Sequence, residues 1–379
     1  MRVVVIGAGV VGSAVAAGLT RRGARVAVLE ARTPGSGTSA TSMAWVNANN
    51  KRPEAYFRLN HAGVLAHHDL PGPWFFPTGH LERATSDEHK ELLEARVARL
   101  AATGYPVERV TAARARDLEP DLVRPPGAEY AFFPAEAHVH PMRLIGRLLG
   151  EARDGGAAVE YGAEVTAIEA SASGVRVTVA DGRAFGGDAV VTCAGRWTQG
   201  VAALAGAYVP MLDPATSGRL TNGFLVTTAP VPARLSRMLT TSGLNLRPDG
   251  AGRLVLQALG LDGRADPAAP VPADVRDAIL ARLPAALRAT EGATAERAVV
   301  GQRALPGDGL TVAGFADPAR RVYIVATHSG VTLAPLLGRE IAAELYGEES
   351  ALLAPFRPGR FADGTAGPAP VPARRAGEQ

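Results

Sequence analysis

The first thirty positions alternate between short apolar runs and glycine-rich breaks. Val3 to Ile6 is an unbroken apolar run rich in β-branched residues, the pattern of a strand buried on both faces of a parallel sheet. Gly7-Ala8-Gly9-Val10-Val11-Gly12 follows as a turn and Ser13 to Arg22 as a helix of mainly small residues closed near Gly23. Arg25 to Leu29 reads as a second strand with Glu30 at its carboxyl end. Gly35 to Asn50 is rich in Gly, Ser, Thr and Asn, so it reads as loop or helix cap. A helix is predicted over 87–103 with Thr85 and Glu88 as its capping box. Another starts at Pro141 and runs to about Arg153.

Farther on, 159–169 reads as short-strand structure without a marked break. It is followed by 175–180, the turn Asp181-Gly182, and 184–185 as a hairpin. Residues 188–192 form a buried strand ending at Cys193-Ala194-Gly195. The pattern from Asn222 to Gln257 is β-rich, with 244–246 and 253–256 on either side of Pro248-Asp249-Gly250. A Pro/Ala-rich loop over 262–272 leads to a helix over 274–289, bent or broken at Pro284. The last strand is 321–326 and the last helix Gly330 to Tyr346. Residues 357–379 are rich in Pro, Gly, Ala and Arg and are expected to be disordered. No internal repeat is visible.

Composition changes this picture little. A chain of 379 residues, 47% hydrophobic and 20% charged, is a globular protein of two or three domains. Aromatics at 5% leave a core of Ala, Val and Leu. Cys193 is the only cysteine, which excludes an internal disulfide framework and a multi-cysteine zinc site and fits a reducing cytoplasm. The net charge of +3 does not announce a nucleic-acid partner. Lys51 and Lys90 are the only lysines, the arginines are scattered among acids, and no basic run carries interleaved aromatics. Residues 3–20 lack charge, but Gly7, Gly9, Gly12 and Gly18 interrupt them and they are short for a membrane span. Neither a secretory signal nor a span is expected.

The turn over 7–12 fits G-x-G-x-x-G, follows a strand, opens a helix, and has an acid at a strand end about 20 residues later. Gly7 permits the tight turn, Gly9 lets a pyrophosphate approach the helix N-terminus, and Gly12 lets helix and strand pack closely. Glu30 would bond adenosine ribose hydroxyls. These residues point to a dinucleotide and leave FAD and NAD both open.

Four distal segments, with this turn, resemble the D-amino-acid oxidase family of flavoproteins, which includes glycine and sarcosine oxidases. They are Gly37-Thr38-Ser39 with Ser42; Ala189 to Trp197, carrying Ala194-Gly195-Arg196-Trp197; Leu246 to Gly250 with Gly252-Arg253-Leu254; and Gly301-Gln302-Arg303, Asp308-Gly309 and Gly314 with His328 to Pro335. The likeness is poor between Asn50 and Val139. The resemblance implies an α/β fold: a doubly wound, Rossmann-like FAD-binding domain built from 1–50, 140–215 and 301–356. That domain is interrupted by an α+β substrate domain from 51–139 and 216–300 with a mostly antiparallel sheet. It implies FAD, held without a covalent link, by Gly7, Gly9, Val10, Val11, Gly12, Glu30, Ala31, Arg32, Thr38, Ser39, Ser42, Met43, Val165, Ala194, Gly195, Trp197, Arg303, Gly330, Val331, Thr332 and Leu333. The helix starting near Gly330 would aim its positive end at the flavin.

For the substrate, the resemblance implies Arg303 as a carboxylate anchor, with Asn245, His328 and Lys51 around it. Ala304 and Thr311 depart from prolines of the family pattern, and Asn245 stands where relatives often carry a Tyr. Asn47, Asn49 or Lys51 could reach the ring, Lys51 in the role of favouring reaction with oxygen. His67-His68-Asp69 and His138-Val139-His140 lack further ligands at metal spacing and read as solvated or capping histidines, so no metal is expected. The implied activity is oxidation of a C–N bond of a small amine or amino acid, hydride passing to flavin, the imine hydrolysed, and O2 reduced to H2O2. A dehydrogenase using a quinone or carrier, a tailoring oxidase of an unusual nitrogen compound, and a non-catalytic or NAD-binding protein are the alternatives.

Overall fold

The computed structural model describes residues 1–216 and 218–365. Its helices are α1 (Val10–Arg21), α2 (Glu54–His68), α3 (Asp87–Ala102), α4 (Ala112–Leu118), α5 (Pro141–Asp154), α6 (Thr198–Ala203), α7 (Ala273–Leu280) and α8 (Gly330–Leu345). A six-stranded sheet runs in the order Val312–Phe315, Val322–Ala326, Ala189–Thr192, Arg2–Ile6, Arg25–Glu30, Ala158–Tyr161. All neighbours are parallel except the edge strand Val312–Phe315. The apolar run at 3–6 suits its centre because both faces are covered. Val3 and Val5 enter a core shared with α1, α5 and α8, while Val4 and Ile6 enter a second core with the hairpin strands Val165–Ser171 and Gly174–Val179.

Close approach fixes α8 against α1. A Cβ on Gly18 would lie 2.0 Å from the Gly338 carbonyl oxygen, and one on Gly338 would lie 2.4 Å from that of Ala14. Pro335 sits inside α8 and has no N–H to give the Val331 carbonyl one turn earlier. His67 of α2 supplies the missing donor, with Nε2 2.8 Å from the Val331 oxygen. Burial pushes His67 down to about 4, so the ring is neutral and carries its proton on Nε2.

An eight-stranded sheet runs Ala295–Gln302, Asn222–Thr228, Leu254–Gln257, Asn245–Pro248, Met238–Thr240, His80–Ala84, Glu129–Phe133, Glu108–Val110. Its pairings are antiparallel except that of Met238–Thr240 with His80–Ala84. Strand alternation divides its two faces. Leu81, Leu239, Leu246 and Leu256 pack with Val275 and Ile279 of α7. On the other face Glu82, Thr240, Asn245 and Gln257 stand in register, all buried. That polar face is turned towards residues 43–51, where Met43 and Trp45 pack on Met238 and Val255.

Several expectations are corrected. The segment 159–169 is two strands in different sheets, Ala158–Tyr161 and Val165–Ser171, because the chain turns at Gly162 with φ +62°. Ser86, not the Thr85/Glu88 box, caps α3 by accepting from His89 N, while the Thr85 hydroxyl bonds Ser242. The helix over 274–289 stops at Leu280, and Pro284 lies in a separate 3-10 turn, Leu283–Ala285. Residues 357–365 are folded. Arg357 pairs with buried Glu344, Arg360 with Asp308, and Phe361 is buried. The rest of that expected disordered tail, 366–379, lies outside the described residues. His67 and His138 are buried rather than solvated, His138 stacked on Phe76 with centroids 4.7 Å apart. Among the described residues no group of three or more His, Cys, Asp or Glu could hold a metal ion, and no helix is long and apolar enough to cross a membrane.

Burial pushes His138 down to about 3 as well. Below the ordinary histidine value of about 6.5 the unfolded chain therefore binds more protons than the folded one. Stability should fall as pH drops from 6.5 to 4, by about 1.4 kcal/mol per pH unit for each of these two rings. Urea midpoints at pH 7, 6 and 5 measure the slope, and His138→Phe should remove one ring's share of it.

Candidate active site

Three cavities follow one another along the carboxyl ends of the parallel strands. The first is a cleft of about 1320 Å³ lined by Gly7, Gly9, Glu30, Ala31, Arg32, Ser39, Val165, Ala194, Gly195 and Trp197. The second, lined by Val10, Val11, Thr38, Ser42 and Gly330, shares Gly9, Ser39, Cys193 and Gly195 with the first. The third, lined by Met43, Trp45, Asn47, Lys51, Gln257, Arg303 and Thr332, shares Thr38, Ser42, His328 and Val331 with the second. Together they form one elongated track from Glu30 to Lys51.

The turn over 7–12 shapes the near end. Gly7 has φ +99° and its N–H donates to Leu29 O at 2.8 Å. The Glu30 carboxylate accepts from Ala8 N at 2.8 Å and Arg32 N at 2.9 Å. Gly12 is not in the wall of the track. Its Cβ would lie 1.9 Å from the Gly7 oxygen, so its absence lets the turn close. Gly9 is different, because a Cβ there would meet only Ser39 Oγ, at 3.5 Å. Glycine at 9 is therefore not demanded by the protein's own packing, and it leaves room for a group that approaches from the track. Ser39 Oγ accepts from Val10 N at 3.2 Å, at a helix start that no side chain of its own N-cap serves. A long cleft, an open glycine and a positive helix end fit a bound dinucleotide.

At the far end α8 starts at Gly330 without a side-chain cap, and its first residues Gly330, Val331 and Thr332 line the track. Leu333 does not, since it is fully buried in the core behind. Lys51 lies in the third cavity, 3% exposed. Burial pushes its ammonium down to about 8, while the Glu136 carboxylate favours the charged form. Glu136 shapes the loop that carries Lys51. Its oxygens accept from Ala48 N (3.2 Å), Asn49 N (3.0 Å), Tyr105 OH (3.0 Å), Trp45 Nε1 (3.0 Å) and Asn49 Nδ2 (2.9 Å). Asn49 is thereby turned away from the cavity, whereas Asn47 lines it.

Arg303 lines the third cavity and is held from behind. Its Nη1 donates to Asn222 O at 2.8 Å, and its Nη2 lies 3.3 Å from Asp262 Oδ2. Burial pushes Asp262 up to about 6 although Arg303 stands beside it. His328 is held well below its ordinary value by burial and then by Lys51 and Arg303, so it is neutral. Asn245 lies one strand behind Gln257 and does not line the cavity. Sequence reading missed Gln257, Asp262 and Glu136. Only Gln257 had a signal, since it shares the parity of Val255 in Leu254–Gln257.

Gly9→Val should leave the folded protein intact by circular dichroism and thermal melting, and should abolish retention of the bound dinucleotide on purification. Gly12→Val should fail at folding instead.

The family model for FAD dependent oxidoreductases (DAO) matches residues 2–344. A glycine oxidase from Geobacillus kaustophilus (strain HTA426) is 26% identical over 368 residues, covering 93% of this chain and 95% of that protein. The crystal structure of glycine oxidase from Geobacillus kaustophilus superposes with a TM-score of 0.83 at 25% identity, covering 94% of this chain and 98% of the other. L-proline dehydrogenase from P. horikoshii shares the fold, with a TM-score of 0.83 at 21% identity over 96% of this chain and 98% of that one. With a track shaped for a dinucleotide and a family match over nearly its whole length, the chain belongs to the DAO family of FAD-dependent oxidoreductases, and FAD is its cofactor.

Proposed function

We propose that this protein oxidises the C–N bond of a small amine bearing a carboxylate, a glycine-type amino acid, and passes the electrons to dioxygen. The observation that carries this reading is the third cavity. A buried lysine, an arginine braced from behind and the start of α8 converge there, and no Asp or Glu is among its lining residues. Likeness to a protein named glycine oxidase supports the substrate class. The balanced reaction is amino acid plus O2 plus water giving 2-oxo acid, ammonia and hydrogen peroxide.

Bound FAD supplies the two-electron acceptor for this chemistry. Arg303 takes the substrate carboxylate with its planar N–H donors, while Asn222 O and Asp262 keep the guanidinium from turning. That grip fixes the α-carbon in one orientation, which is the larger part of what positioning contributes to rate. A nitrogen that still holds an extra proton cannot release hydride from its neighbouring carbon. Lys51 and Arg303 disfavour a third cation in the cavity, so the amine binds as free base. The positive end of α8 stabilises negative charge that develops beside it. Lys51, when protonated, stabilises the negative charge forming on dioxygen as it is reduced.

Two opposed pH dependences follow. Anaerobic reduction by substrate should rise with pH as the free amine forms. Reoxidation by O2 should fall as pH rises through about 8, where Lys51 loses its proton. Lys51→Met should slow reoxidation about 100-fold and flatten that fall, with far less effect on anaerobic reduction. Stopped-flow measurement of the two half-reactions separates these effects. Arg303→Ala should raise KM for a carboxylate substrate by about 10- to 100-fold with flavin content unchanged. Peroxide should form one-to-one with oxygen consumed on glycine or N-methylglycine. Reduction by substrate followed by reoxidation with a quinone but not with O2 would make the protein a dehydrogenase.

A further inference from the structure

A row of uncharged polar side chains crosses the front of the eight-stranded sheet and ends at the third cavity. Thr240 and Asn245 are cross-strand partners, as are Asn245 and Gln257. Their exposures are 0%, 0% and 5%, and only Gln257 reaches the cavity wall. Buried polar groups are costly unless hydrogen-bonded, so each unpaired atom here needs a partner. Two atoms of the row have none among the described residues: Nδ2 of Asn245, a donor, and Oε1 of Gln257, an acceptor.

The rest of the row sets a direction. The Thr240 hydroxyl donates to Asn245 Oδ1 at 3.0 Å, so it accepts from His80 Nε2, 2.9 Å away. That commits the Asn245 oxygen and leaves its Nδ2–H for the neighbouring strand, where Gln257 Oε1 is the unpaired acceptor. The two atoms are not hydrogen-bonded to each other in this structure; brought together when the cavity is filled, they would commit the Gln257 oxygen and leave the Gln257 amide N–H for the cavity. Arg303 acts elsewhere. Its Nη2 lies 3.0 Å from the position of a Cβ on Gly223. The register that pairs Val226 with Leu256 continues to place Gln257 beside Leu225, two residues from Gly223 along the same strand, roughly 7 Å away.

We propose that Gln257 selects the substrate, donating its amide N–H to a second acceptor group distinct from the carboxylate on Arg303. Asn245 is the positioning residue that orients it. The substrate class is then a carboxylate-bearing amine with a carbonyl, amide or ether oxygen on the side away from Arg303. The inference rests on the reading of Arg303 as the carboxylate anchor.

The test uses the FAD-loaded enzyme and two non-reacting carboxylates of equal heavy-atom count and shape, isovalerate and malonamate. Malonamate differs in carrying a neutral carboxamide in place of the isopropyl group. Dissociation constants come from perturbation of the visible flavin spectrum and from calorimetry. The malonamate preference, taken as the ratio of the two affinities, should drop about tenfold in Gln257→Leu, with isovalerate binding within about twofold of wild type. Asn245→Asp, of nearly the same size, removes the orienting donor and should abolish the preference while leaving isovalerate binding in place. An unchanged ratio in both variants overturns the proposal. So does a ratio lost in Lys51→Met but kept in Gln257→Leu. Arg303→Ala should weaken both ligands together. If it leaves isovalerate binding intact, the carboxylate anchor fails, and the Gln257→Leu ratio still decides the second contact on its own.

Discussion

One buried carboxylate holds the working end of this molecule together. Glu136 is fully buried and accepts from a strand side chain, two loop N–H groups, a loop carboxamide and a tyrosine hydroxyl. These donors belong to residues 45–49 and to Tyr105, which otherwise share no strand or helix. Remove the carboxylate and several buried donors lose their acceptor at once, a situation that costs far more than one hydrogen bond contributes. The loop over 45–51 has no regular structure beyond a two-residue strand, so side chains give it its shape: Glu136 with the most bonds, then Thr332 on Trp45 and Asn47 and Arg99 on Asn49. Lys51 stands where it does because of that shape.

The second constraint is the pair of helix starts. α1 and α8 both open onto the track, and their separation is set where glycines let the two helices touch backbone to backbone. Pro335 then tilts the balance inside α8, because it leaves the Val331 carbonyl without its helical donor. The neutral His67 ring answers that with a bond from α2. A helix whose first turn must present N–H groups to a ligand thus has that same turn pinned from outside through a carbonyl.

Much of this was legible in the sequence, for identifiable reasons. The strand–turn–helix over 3–21 could be read because buried parallel strands are continuous apolar runs and the glycine spacing has a steric cause. α5 and α8 were marked by a proline start and by long apolar periodicity. The break at 162 escaped because a single glycine between two β-like runs says little about which sheet each run joins. The fold of 357–365 escaped because its composition is that of a linker. Phe361 is buried, and two arginines dock the segment on Glu344 and Asp308, 13 and 52 residues away. Glu136 and Asp262 left no trace, since a buried acid is defined by partners and not by neighbours. Gln257 could have been found by strand parity, but parity puts Asn245 on the same face and does not say that its strand lies one place farther from the cavity.

Gly9 bears on what a group seated at the turn must displace. Ser39 Oγ already accepts from the Val10 N–H at the helix start, and it is the atom nearest to the Cβ that Gly9 lacks. An anion over Gly9 therefore competes with that hydroxyl oxygen for the Val10 N–H. A hydroxyl that gives up the N–H can turn and donate its own proton to the anion, so one side chain serves as acceptor to the helix or as donor to the guest.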